Sequence, residues 1–302
     1  MNADERDLAQ RRWLRGVARI ENEVAHRIRA SLKNDETEAV RYAERQVRLA
    51  VASDDSMTAI ALSLPAMSAE VERIFGLNSV ATEVIGGAAQ DAYLFGTREG
   101  RQRTSTVMKT KAPPVAPDEV ARQKRNERDE ARAYARAWQE ENGRAVARAA
   151  ARGVVADVAG GVSTVSIGIA AALSYRSLYA ARNVTADSGR RGLFSAFGAA
   201  GMQAWTWHAE FGACQWCWSR SGISFPAYEK FRSHPNCKCS AIPSATVGGG
   251  GYDADQLFSA LPVSQQVSVL GPGKQALYSQ GRFSVRDLAK PNGGVRTLAE
   301  LS

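Results

Sequence analysis

Sulfur and imidazole are scarce in this chain: its 302 residues hold four cysteines and three histidines. With so few cysteines, a disulfide pair or unrelated free thiols is the plain alternative to a metal site. Long apolar runs are missing too. The best stretch, VAGGVSTVSIGIAAALSY at 158–175, is uncharged but diluted by Gly, Ser and Thr, whereas a spanning helix wants roughly 20 strongly apolar residues. It reads as a buried small-residue helix, and no membrane partner is expected. The opening MNADERDLAQRRW lacks the apolar core and small-residue cleavage site of a secretory signal. A reducing compartment is therefore expected, where clustered cysteines serve metals more often than disulfides. HExxH pairs, phosphate loops and nucleophile elbows are also missing. Neither catalysis nor a small-molecule substrate is expected.

What is present is ordinary for a globular chain: 44% hydrophobic and 23% charged residues, enough for a sizeable core and, by length, about two domains. The net charge is +8, and arginine greatly outnumbers lysine. That balance favours phosphate-bearing or acidic partners without identifying one.

The pattern along the chain is mainly helical. Trp13, Val17, Ile20, Val24 and Ile28 recur at three- and four-residue steps and line one helix face. His26 sits beside that face and reads as a structural histidine. A second helical stretch runs from about Asp35 to Ala52, after which Pro65, Gly76 and Gly86-Gly87 break the pattern. Five consecutive segments are expected: a helical N-terminal region at 1–95, a basic Pro/Thr-rich linker at 96–118, an Ala/Arg-rich helical region at 119–204, a Cys/His module at 205–247 and a helical tail at 248–302. Asp118 is the expected N-cap of the third segment. Its apolar side is thin, with Tyr134, Trp138 and Val146, so it reads as a solvated helix rather than one docked on DNA, because Glu127, Asp129, Glu130, Glu140 and Glu141 dilute its arginines. Gly160-Gly161, Gly189 and Gly192 are expected to interrupt it. From Trp205 the chain reads as aromatic and loop-rich, and GGGG at 248–251 as a joint. In the tail, Leu257, Phe258, Leu261, Val267 and Leu270 form an apolar face, with Gly271 and Gly273 as helix ends.

All four cysteines lie within CQWCWSRSGISFPAYEKFRSHPNCKC, residues 214–239, together with His234. The spacing is Cys214-x2-Cys217, then His234-x2-Cys237-x-Cys239. A CxxC turn aims two thiolates at one ion, and a second short-spaced pair completes a tetrahedron. Five donors compete for four places. The favoured set is Cys214, Cys217, His234 and Cys239, with Cys237 as the substitute. A full N/S set implies a structural Zn2+, since a catalytic zinc keeps one place for water. His208 reads as a packing or hydrogen-bonding residue. The rival reading is a zinc-dependent nuclease or other DNA-processing enzyme, which needs a further acid or histidine at an open site.

WTWHAEFGACQWCWSRSGISF followed by SHPNCKCSAIP resembles the signature of the phage Mu F-like minor head proteins, the phage head morphogenesis family. The tail is similar too, with Leu277, Tyr278, Gly281, Ser284, Asp287 and Leu288 at the positions of an LY-x-x-G-x-x-S-x-x-DL segment. So is RNVTADSGRRGLFSAF at 182–197. The resemblance covers residues 175–302. It implies a mainly α protein with a small α+β zinc-stapled C-terminal module and a helical N-terminal region. The implied role is that of a structural minor capsid protein of a tailed phage or prophage. Such a protein enters the virion during procapsid assembly near the portal, in contact with portal, scaffold or major capsid proteins and with packaged DNA. By position, Cys214, Cys217, His234 and Cys239 would be its metal set. Many relatives carry an acidic residue followed by Arg-Thr before the CxxC, where this chain has Glu210-Phe211-Gly212.

Overall fold

The computed structural model describes residues 2–51, 79–137, 165–210, 212–231, 234, 237, 239–247, 251–290 and 294–301; for 31–51, 79–81 and 165–178 it describes the helical backbone alone. Four long helices come first: α1 (Ala3–Val51), α2 (Ser79–Met108), α3 (117–137) and α4 (Val165–Ala199). Strand β1 (Ala204–His208), helix α5 (Gln215–Arg220), and strands β2 (Ser224–Pro226) and β3 (Ser240–Ser244) follow. Helices α6 (Ala254–Ser259), α7 (Val263–Leu270) and α8 (Pro272–Ser279) and a 3₁₀ turn (Val285–Leu288) close the chain. The protein is mainly helical, with one small antiparallel sheet of order β2-β1-β3. No helix among the described residues is long and apolar enough to cross a membrane.

Two compact units share the chain, and neither follows the five consecutive segments expected from the sequence. One contains Met1–Ala18, Ala92–Ala121 and Ala186–Ser302; the other contains Arg19–Asp91 and Arg122–Thr185. In the second unit, Ile20, Val24 and Ile28 of α1 are buried as their spacing demands, with Val84, Ile85, Ala88 and Ala89 of α2, Ala131 and Ala135 of α3, and Val184 of α4. His26 is exposed rather than built into that core. Tyr134 is exposed as well, so the inner side of α3 is made by alanines and the buried Glu127. Trp138 and Val146 lie outside the described residues, as do Pro65, Gly76 and Gly160-Gly161.

In the first unit the expected linker is largely helix. Residues 96–108 continue α2, and only 109–116 leave it. Helix α3 starts two residues earlier than expected, at Pro117, with the Val120 amide bonded to the Ala116 carbonyl, so Asp118 lies in the first turn rather than at the cap. Nor do glycines break these helices. Gly86-Gly87 lie inside α2, and Gly189 and Gly192 lie inside α4. A Cβ on Gly96 would come within 1.9 Å of the Gly189 carbonyl oxygen, and one on Gly192 within 2.2 Å of the Tyr93 carbonyl oxygen. The glycines let the two backbones touch. The core of this unit gathers Trp13, Leu193, Phe197, Trp205, Trp207, Trp218, Phe258, Val285 and Leu288. Residues 204–208, expected as loop, form the central strand of the sheet. In the tail, Phe258 and Leu270 are buried, and Leu257 and Leu261 pack against them. Gly271 ends α7 with φ 76°, whereas Gly273 lies within α8.

Candidate metal centre

Alternation along β1 sorts the aromatic residues. Trp205 and Trp207 share one face, where Phe225 stacks on Trp205 at 4.6 Å and Phe231 on Trp207 at 3.9 Å between ring centroids. Trp216 meets Trp207 edge-on at 5.5 Å and His234 at 6.0 Å. Trp205, Trp207, Trp216, Trp218, Phe225 and Phe231 belong to one packed cluster with Cys217, Cys237 and Cys239.

Helix α5 begins after Cys214, whose side chain makes no cap hydrogen bond, and one turn later Cys217 comes to the same side. A turn with the Cys237 amide donating to the His234 carbonyl (3.0 Å) brings the second pair of donors round. Cys214, Cys217 and His234 form one group, and Cys217, Cys237 and Cys239 a second, with the donor atoms of each within 4.8 Å of one another. The His234 Nε2 lies 3.1 Å from both the Cys214 and the Cys217 sulfur. Cys217 and Cys237 sulfurs are 3.7 Å apart, close to the edge of about 3.8 Å that a tetrahedron with Zn–S near 2.3 Å requires. The five donors therefore form one cluster able to hold a metal ion. Cys237 and Cys239 both belong to the Cys217 group, so the geometry does not rank Cys237 last. All four cysteines are free.

The sulfurs share protons unevenly. Hydrogen bonding from Cys217, with His234 adding, takes the Cys214 thiol down to about 5. Cys237 is pulled down by hydrogen bonds from Cys217 and Cys239, with Arg190 adding. Cys217 is pushed up by its three sulfur neighbours, and Cys239 by burial. A metal cation bound by the cluster would take the place of those shared protons.

Two buried arginines that the sequence reading did not single out, and the buried Glu210, stand beside the cluster. Arg190 of α4 donates from Nη1 to the Cys237 carbonyl (3.0 Å) and the Cys239 carbonyl (3.1 Å), pairs with Asp187 and lies over the Phe231 ring. Arg103 of α2 bonds Ser240 Oγ at 2.9 Å, the Ala241 carbonyl at 2.8 Å, the Ala9 carbonyl at 3.1 Å and Glu99 at 3.0 Å. Ser240 in turn donates to Glu210. Burial pushes the Glu210 carboxyl up to about 8 against the pull of Arg103. Arg103 is thus the cation that acts on Glu210. His208 makes the hydrogen bond expected of it, from Nδ1 to the Tyr252 hydroxyl at 2.6 Å, and stands outside both donor groups. Burial, with Arg103 and Arg6, takes it down to about 3. His208-Ala209-Glu210 is a His-x-Glu pair legible in the sequence, but both side chains are buried.

The sheet, the helical framework and this cluster define a mainly helical protein with a Cys/His cluster able to hold a metal ion. No family model, curated protein or solved structure matches the chain.

Proposed function

We propose that the cluster holds one structural Zn2+ and that the chain is a minor capsid protein of a tailed phage or prophage, taken into the procapsid near the portal. Thiolate and imidazole donors select zinc among available divalent ions. Five donors for four places leave no vacancy for a reactive water, so the metal contributes folding energy rather than turnover. The observation that carries the reading is that the separate pieces of the head-protein signature are one folded body. Gln215, beside the first cysteine, donates to the Val269 carbonyl (2.9 Å) and accepts from Lys274 (2.6 Å). Trp218 meets Phe258, Phe258 meets Tyr278, and Tyr278 meets Phe283, at 5.0, 5.2 and 5.8 Å. Ser284 and Asp287 of the tail cap each other's turn. A motif scattered over a hundred residues by chance has no reason to converge on one metal cluster.

The test combines elemental analysis of the purified protein with mass spectrometry of purified procapsids and virions. About one zinc per chain, and a few copies of the chain in both particles, is the expected result. Its absence from both particles sinks the capsid role. Metal-dependent plasmid cleavage that is lost on His234→Ala with the fold intact would favour the nuclease reading instead.

A further inference from the structure

Helix α3 carries its charges in a way that its sequence conceals. With successive residues turned by about 100°, Arg122, Arg125, Arg128, Arg132 and Arg136 fall within one third of the helix circumference. The acids that dilute this run in the sequence mostly point elsewhere. Glu127 is fully buried and accepts a hydrogen bond from Gln123 at 3.1 Å on the inner side. Glu130 lies on the opposite flank by the same spacing. Asp118, one turn before Arg122, and Asp129 share the arginine flank, and Asp129 pairs with Arg132 at 3.6 Å. Arg132 also pairs with Glu83 of α2. The Arg128 and Arg132 stems pass over Gly86, where a Cβ would come within 3.2 Å of each Cγ, so bare backbone there leaves room for both. Glu83 is held below the usual carboxylate range by its hydrogen bond to Arg132, with Arg128 and Arg136 adding. The five arginines thus outnumber the carboxylates of the flank, Asp118 and Asp129, and the Glu83 that pairs with Arg132. Arg122, Arg125, Arg128 and Arg136 are exposed.

We propose that this arginine flank, Arg122 to Arg136, is a docking surface for the phosphate backbone of duplex DNA. It runs for about 21 Å at 1.5 Å per residue, which spans about six base-pair steps at about 3.4 Å of duplex axis each. The cations are all guanidinium, which grips phosphate oxygens in pairs where an ammonium acts as a point charge. A run of guanidinium groups along one flank matches the repeating charge of the phosphates, so the contact is governed by counterion release rather than by base sequence.

The test is salt-dependent binding of the full-length protein to a short labelled duplex of arbitrary sequence. The parent is compared with Arg122→Gln/Arg125→Gln/Arg128→Gln/Arg136→Gln. A charge-matched control, Arg11→Gln/Arg15→Gln/Arg98→Gln/Arg282→Gln, changes arginines that are exposed elsewhere. Far-UV circular dichroism and metal content establish that each variant is folded. The flank variant is expected to flatten the slope of log K against log salt by about 3–4, at about 0.9 per lost phosphate contact, while the control keeps the parent slope. Should the four-residue variant not fold, Arg125→Gln/Arg136→Gln, which spares the stems over Gly86, is expected to give about half that change. A parent-like slope in the flank variant overturns the proposal. Equal losses in flank variant and control overturn it too, by showing attraction to net charge alone. The capsid role is judged by particle content, so either reading can fail without the other.

Discussion

Arg103 and Arg190 each bury a guanidinium beside the Cys-x-Cys segment, which is tolerable only because carboxylates and carbonyl oxygens answer the charge. His208 solves the same problem differently, by staying neutral. Its folded value of about 3 lies below its ordinary 6.5, so the folded state binds the proton less readily than the unfolded chain. The associated stability is fully present above pH 6.5 and is lost as pH falls toward 3, at roughly 1 kcal/mol per pH unit. His208→Gln keeps a hydrogen-bonding group for Tyr252 and removes the titration. Urea midpoints at pH 7 and pH 5 should therefore differ less in the variant than in the parent. The acid sensitivity of the metal ligands is common to both proteins and cancels in that comparison. Equal differences would mean that His208 does not set the acid response.

Between helices, the glycines decide how close α2 and α4 come. In Gly192→Ala the new methyl would press on the Tyr93 carbonyl and the Thr97 amide, at 2.2 and 2.7 Å, and neither backbone group can swing aside. The overpacking cost of about 1–3 kcal/mol exceeds the gain of up to about 1 kcal/mol in helix propensity. Gly87→Ala, with nothing within 4 Å, should gain stability by roughly 0.5–1 kcal/mol. Opposite shifts in thermal midpoint are expected, and a stabilised Gly192→Ala would refute the close crossing. This pair also shows why the sequence is legible in some places and not in others. The apolar steps from Trp13 to Ile28 announce their helix because burial there depends on that helix alone. Gly189 and Gly192 read as breaks because their reward lies on another helix. Residues 96–108 read as linker because the face they bury holds Thr97, Glu99, Arg103 and Thr104, which carry no apolar period. The five metal donors were legible because rare residues stood close together. Arg103 and Arg190, like most arginines in a sequence, looked like surface. Strands β1 and β3 are buried at every position, so they show no alternation to reveal them.

At the scale of the whole molecule, the unit that holds the metal centre is assembled from three separated stretches of chain. The stretch 186–302 has, among its described residues, the end of α4, a three-stranded sheet and four short helices, too little to bury a self-sufficient core. It leans on the rest of its unit at named points. Trp13 and Phe95 stack at 5.7 Å within that core. Arg103 ties β3 to the Ala9 carbonyl. Gly189 would bring a Cβ within 3.0 Å of the Trp13 ring. A fragment of residues 186–302 is accordingly expected to misfold or aggregate even with zinc supplied, with none of the near-UV dichroism that the packed tryptophans give the full chain. Adding the 1–121 stretch back as a separate polypeptide should restore part of that signal. A fragment that folded alone with zinc bound would show that the metal suffices as its core. The two helices would then be attachments to a module complete in itself, and the buried arginine contacts would count for little in its stability.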